Sequence, residues 1–248
     1  MNLNDKVRIN EQFKYYVFLS VFYAILMVTA QSVAYRLIQI GPFLEPGGIF
    51  IFPATFAISD VISEAYGPTL ARKTIFIALF AQAFYSIIPI GVNMLPSPST
   101  WNHRDAYDLV FGSSWLVFAS NLAAVLVGMI FNTQLIGKTK IIARGKFFKF
   151  RSFFSCAIGE LILTTIIVSI ALVPVEGFQM GKHLFINMYL FKIGFSLLFL
   201  YPASFLVVAL KKLDGADVYE TKVSINPWSS VFRRNVEMDD NVVNIFGK

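Results

Sequence analysis

Cysteine is almost absent from this chain: Cys156 is the single example in 248 residues. One thiol cannot close an internal disulfide or build a thiolate metal site, which excludes disulfide scaffolds and zinc motifs. Charge is scarce too, at 15% of residues, while 56% are hydrophobic and the mean hydropathy is +0.64. Soluble domains carry roughly 25% charged residues. This chain therefore has too little polar surface to cover itself in water, and reads as an integral membrane protein. Histidine is limited to His103 and His183, placed by the pattern in outward loops without metal-ligand spacing. There is no GxSxG elbow and no glycine-rich phosphate loop, and Ser, His and Asp cannot be assembled from the intramembrane set. No catalytic residue, metal or cofactor is expected.

What is abundant is apolar length. A bilayer core of roughly 30 Å takes about 20 helical residues, so the chain holds about six spans, short loops and one tail, with no room for a large extramembrane domain. Apolar runs cover about 15–38, 49–66, 71–95, 113–136, 153–175 and 184–210. The first is too long for a signal-peptide core and is read as a retained helix. Gly41-Pro42, Pro46-Gly47-Gly48, Gly67-Pro68, Pro96 and Pro98 punctuate the turns. The expected fold is all-α and polytopic, with six transmembrane helices in residues 1–212 and a polar, loosely ordered tail in 213–248, where Asn226-Pro227-Trp228 looks compact.

The net charge of +6 would suggest a nucleic-acid partner in a soluble protein, but topology uses nearly all of the basic residues. Lys138, Lys140, Arg144, Lys146, Lys149 and Arg151 fall between spans four and five, and Arg72 and Lys73 between spans two and three. Lys6, Arg8, Lys14, Lys211 and Lys212 share that side if six crossings are made. The opposite side keeps little more than Arg104 and Lys182, with Arg36 at a helix end. Both termini are thus expected in the cytoplasm, with the 138–151 stretch as a topology determinant rather than an RNA or lipid patch, and no nucleic-acid partner.

Ionisable groups inside a membrane are costly and mark a site, a pathway or a buried pair. Asp60 and Glu64 lie i, i+4 on one face of span two, where like charges repel unless one gains a partner. Lying near the cytoplasmic end, they could reach water or pair with Arg72 and Lys73. Glu160 on span five and Lys192 on span six each sit about 12 Å deep from opposite faces, leaving about 6 Å between their levels. A lysine side chain reaches that far, so the two are expected to face each other across the bundle interior. Gln31, Ser32, Ser59, Ser63, Gln82, Asn121 and Asn187 add neutral polar groups, each able to serve as an ordinary interhelical hydrogen bond. The 26 phenylalanines supply lipid-facing and core surface, and could wall a flat ligand.

The stretch Phe52-Pro53-Ala54-Thr55-Phe56-Ala57-Ile58-Ser59-Asp60-Val61-Ile62-Ser63-Glu64-Ala65-Tyr66-Gly67, followed by Leu70-Ala71-Arg72-Lys73, resembles the queuosine-precursor transporter family, also called the VUT family. Gly159-Glu160, Phe191-Lys192 with Ser196, Phe199 and Pro202, and Asp217-Val218-Tyr219 with Asn226-Pro227-Trp228 extend the resemblance over nearly the whole chain. It implies a multi-pass protein of the bacterial inner membrane that imports cyano- or aminomethyl-substituted deazaguanines, or queuine. One departure stands out: Leu163 occupies a position where members often carry an acid. A guanine-like edge offers adjacent N–H donors to a carboxylate and a carbonyl to a lysine or amide. Asp60, Glu64, Asn121, Glu160, Lys192, Gln31 and Gln82 are therefore the expected substrate-binding set. The lipid bilayer is the expected surround, and a homodimer is compatible with so small a bundle. Two alternatives stay open: a substrate-binding membrane subunit of a multi-subunit importer for another heterocycle or vitamin, and an intramembrane enzyme using Asp60, Glu64 or Glu160. Co-purification with an ATPase marks the first, and a chemically altered product marks the second.

Overall fold

A computed structural model of the chain describes residues 14–220 apart from 35, 42, 99 and 113. Six long helices dominate it: α1 Lys14–Val33, α2 Phe52–Tyr66, α3 Pro68–Asn93, α4 Ser114–Ile142, α5 Phe148–Ile167 and α6 Phe178–Leu213. Each belongs to a segment long and apolar enough to cross a membrane. The all-α, six-span reading holds. Two helices start on proline, Pro53 in the first turn of α2 and Pro68 at the head of α3, where the missing N–H has no intrahelical partner to lose. The α2–α3 junction is Gly67, at φ 92°, a conformation that side chains disfavour.

Helix ends differ from the apolar runs in instructive ways. α1 stops at Val33, and a β-hairpin follows, strand β1 Leu37–Ile40 antiparallel to β2 Phe43–Pro46, with Ile38 opposite Glu45. A 3-10 turn over Gly47–Phe50 then leads into α2. α4 runs on to Ile142 and α5 begins at Phe148, so Lys138, Lys140, Lys149 and Arg151 are helical rather than loop residues. Hydropathy marks the lipid-exposed length, whereas backbone hydrogen bonding continues until a residue such as Gly145, at φ 72°, breaks it. α6 starts before His183, which is therefore helical and not in a loop. A short helix, Arg104–Phe111, occupies the α3–α4 connection. Beyond α5, a π-helical turn Val168–Leu172 and a helical turn Val173–Glu176 lead to Gly177.

α1, α3, α4, α5 and α6 pack in that order, each on the next, and α2 packs against all five. α2 is accordingly the most enclosed span, while α6 leaves most of its surface outward. Around α2 lie Tyr23, Met27, Phe56, Ile62, Tyr66 and Met129, all fully buried. α4 and α5 meet through Gly128 and Gly159. A methyl group on Gly128 would stand 2.9 Å from the Gly159 carbonyl oxygen, and one on Gly159 would stand 2.8 Å from the Phe56 ring. Small residues let helix backbones approach closely where lipid offers no hydrophobic drive between helices. That contact fixes Glu160, the next residue, toward the interior.

The near end of the tail is docked. Val218 N donates to Ala65 O at 3.1 Å, Tyr66 Oη donates to the Asp214 carboxylate, and Thr69 donates to Glu220. Asn226-Pro227-Trp228, Lys6 and Arg8 lie outside the described residues.

Candidate substrate site

The expected polar residues gather in three groups around α2. In the first, Lys192 Nζ stands 3.0 Å from Glu160 Oε2 and donates to Thr164 Oγ1 at 3.1 Å. The contact expected from depth alone is present. The ammonium also lies 5.2 Å from the centre of the Phe52 ring at the head of α2, within cation–π range. Both side chains are buried, and no hydroxyl or amide among the described residues donates to either Glu160 oxygen. The carboxylate thus has one cation and open lone pairs. One turn further along α6, the buried Ser196 hydroxyl has no hydrogen-bond partner either.

Asp60 heads the second group. It is fully buried, accepts from Asn132 Nδ2 at 2.6 Å, Ser152 Oγ at 2.5 Å and Cys156 Sγ at 3.2 Å, and makes no ion pair among the described residues. Glu64, one turn on, is bound by cations: Arg151 Nη2 at 3.0 Å and Lys211 Nζ at 3.0 Å. Arg72, the expected partner, is buried and donates to Thr69 Oγ1 at 3.1 Å. The two carboxylates share a helix face, yet one is served by neutral donors and the other by charge.

The third group joins α1, α3 and α4. Asn121 Nδ2 donates to Gln82 Oε1 at 3.2 Å, Gln82 Nε2 to Met27 O at 2.7 Å, and Gln31 Nε2 to Ser86 Oγ at 2.6 Å. Gln31 Oε1 and Asn121 Oδ1 are buried without hydrogen-bond partners among the described residues. Gln31, Gln82 and Asn121 are thus interhelical hydrogen-bond residues as well as acceptors left open.

The basic cluster does more than set topology. Lys140, 2% exposed, donates to Glu64 O at 2.6 Å and Val218 O at 2.7 Å and pairs with Asp217 at 2.7 Å. Lys211 bridges Glu64 and Asp217, at 3.0 and 2.9 Å. Burial alone would raise the Asp217 carboxyl, but the Lys140 and Lys211 ammoniums hold it below the usual carboxylate range. A depressed folded-state pKa contributes stability above the ordinary carboxylate range, lost as pH falls through the folded value. Asp217→Asn is expected to release the 214–220 segment, as is acidification below the ordinary carboxylate range. Hydrogen exchange at the Val218 amide is the readout, and unchanged protection in the variant would show that Asp217 does not hold the segment.

One residue escaped the sequence pattern altogether. Glu45 on β2 is 0% exposed, and neither of its carboxylate oxygens has a hydrogen-bond partner among the described residues. Burial pushes it up to about 7, against the pull of the Lys192 ammonium. Flanked by Gly41-Pro42 and Pro46-Gly47, it reads as a turn residue in water. Asn132, Ser152, Cys156 and Thr164 were also missed, although Ser152, Cys156, Glu160 and Thr164 recur every four residues along one face of α5.

The sequence itself matches a known family: residues 46–207 fit the family described as "Putative vitamin uptake transporter". The chain belongs to this family. The matched region covers α2 through most of α6 and so holds Asp60, Glu64, Gln82, Asn121, Glu160 and Lys192, while Gln31 and Glu45 precede it. A relative described as "Probable queuosine precursor transporter", from Bacillus subtilis (strain 168), is 24% identical over 152 residues. The aligned part is 61% of this chain and 66% of that relative's length, just short of two thirds. No solved structure matches this member of the vitamin uptake transporter family.

Proposed function

We propose that this protein is a multi-pass transporter of the bacterial inner membrane, both termini cytoplasmic, that takes up queuosine precursors of the deazaguanine class without altering them. Family membership and the Bacillus subtilis relative support uptake of a small nutrient-like molecule. The observation that carries the substrate class is the Glu160–Lys192 pair beneath Phe52. A carboxylate with open lone pairs accepts two adjacent N–H groups of a guanine-like edge, the neighbouring ammonium donates to its carbonyl, and the ring packs on the flat base. Asp60, Glu64, Gln31, Gln82 and Asn121 are assigned to the path around this pair. The basic ends of α3, α4, α5 and α6 favour the cytoplasmic side for that face of the bundle.

The test uses cells that cannot make queuosine and lack their own importer. With this chain expressed and each candidate base supplied at low concentration, queuosine in tRNA is expected to return. No return with any base, despite membrane insertion, would overturn the reading. Recovery of a chemically altered base from proteoliposomes would point to an enzyme instead. In the same assay Glu160→Gln, whose amide opposes one of the two ligand donors, is expected to lower uptake about 10–100-fold, the cost of one unpaired buried polar group. Unchanged uptake would remove Glu160 from the site.

A further inference from the structure

Glu45 stands on the hairpin's inward face. The residues of that face alternate as Ile38 and Ile40 on β1 with Phe43 and Glu45 on β2, and Leu37 and Gln39 point outward. Phe43 packs edge-on against Phe191 of α6, ring centres 5.4 Å apart, immediately before Lys192. The hairpin is pinned at its other end. Gly47 N donates to Arg36 O at 2.8 Å, and a methyl on Gly47 would stand 2.6 Å from the Val33 carbonyl oxygen. β2 thus stands against α6, with Phe43 on Phe191 and the buried Glu45 two residues further along the same strand face.

A carboxylate buried without a hydrogen bond weakens the fold that holds it. Lys192 does not repay the cost, because its contacts go to Glu160 and Thr164, and Glu45 feels the ammonium only at longer range. One ammonium thus serves two buried carboxyl groups, and a second cation placed beside Glu45 would favour its charged form over the protonated one that burial promotes. Resting on the deazaguanine reading, we propose that Glu45 is a specificity-determining residue of the substrate site, recognising a cationic amine borne on the heterocycle's side arm while Glu160 takes the guanine-like edge. An aminomethyl arm supplies that cation and up to three donors; a cyano arm is neutral and offers only an acceptor, which the Glu45 carboxylate repels.

The experiment measures competitive uptake of the aminomethyl and the cyano deazaguanine by cells expressing the full chain, native or Glu45→Gln, with thermal unfolding of each purified protein in detergent. The ratio of aminomethyl to cyano uptake is expected to fall about tenfold or more in Glu45→Gln, the loss of one charge-assisted contact. The variant is expected to unfold at the same or a higher temperature, since it removes a costly charge. A ratio unchanged within twofold, or a native protein that takes up only the cyano base, overturns the role of Glu45 and leaves the transporter reading standing. Uptake of neither base by the native protein overturns that reading and this one together. If Glu45→Gln unfolds at a lower temperature, the group is structural; Glu45→Leu, which removes the hydrogen-bonding capacity as well, is then expected to fall further, and that result also overturns the proposal.

Discussion

Replacing Lys192 by methionine will abolish uptake and lower stability together, and the two losses will separate in a double variant. Lys192 is 1% exposed and Glu160 fully buried. Removing one partner of such a pair leaves an uncompensated buried charge, at a cost of about 3–5 kcal/mol, a large share of the roughly 5–15 kcal/mol by which proteins hold together. Here the cost includes Glu45, which loses the cation that pulls on it. Replacing both partners with apolar side chains, as Lys192→Met with Glu160→Leu, is neutral to stabilising in comparable buried pairs by about 1–4 kcal/mol. Thermal unfolding should therefore fall in the single variant and recover in the double one apart from the share that Glu45 forfeits, while queuosine in tRNA stays absent in both. Recovery of uptake in the double variant would mean that the pair merely holds α5 to α6.

The pairing was legible in the sequence because depth in a membrane is a ruler. Two ionisable groups with fixed rises from opposite faces arrive at levels about 6 Å apart, within the reach of a lysine, and the low-dielectric surround gives them few other partners. Glu45 was not legible by the same ruler, because it lies outside every apolar run, and only the hairpin's tertiary packing takes it out of water. The network at the basic end was misread for a related reason. Lys140 and Arg151 count as topological charges by composition, yet the helices continue past the apolar runs and turn both residues inward onto Glu64 and the 214–220 segment. Asp60 needed a finer pattern, since its donors are small residues whose only signature is the four-residue recurrence on α5 and the Asn121, Gly128 and Asn132 face of α4. The span count and the Gly67 turn follow directly from local chemistry and so were legible, whereas Pro68, read as part of that turn, heads α3.

Charge and topology are coupled in this bundle through α2. Its N-terminal end meets Lys192 through Phe52, its middle carries Asp60, and its C-terminal end carries Glu64 and Tyr66 against the post-α6 segment. A displacement of α2 relative to α5 and α6 must break contacts at all three levels. α2 is therefore the element that links the Glu160–Lys192 pair to the basic end.

That makes the two carboxylates of α2 a sharp test, for they lie one turn apart and should fail in opposite ways. Glu64→Gln removes the anion that Arg151, 5% exposed, and Lys211, 24% exposed, share. Two cations then face each other with Asp217 as the remaining anion nearby, and a loss of about 3–5 kcal/mol is expected, enough to deplete folded protein from membranes. Asp60→Asn forfeits no ion pair. Its new –NH2 replaces one carboxylate oxygen: at the Oδ2 position it donates to Ser152, whose hydroxyl rotates to accept, while the remaining oxygen keeps the hydrogen bond from Asn132 Nδ2. Stability is therefore expected to stay within about 1 kcal/mol of the native protein, while uptake is lost with the carboxylate. Thermal unfolding in detergent and queuosine in tRNA, measured on both variants, give the comparison. A stable, active Asp60→Asn would strip Asp60 of its place on the substrate path, and a stable Glu64→Gln would show that Asp217 alone suffices to hold the basic end together.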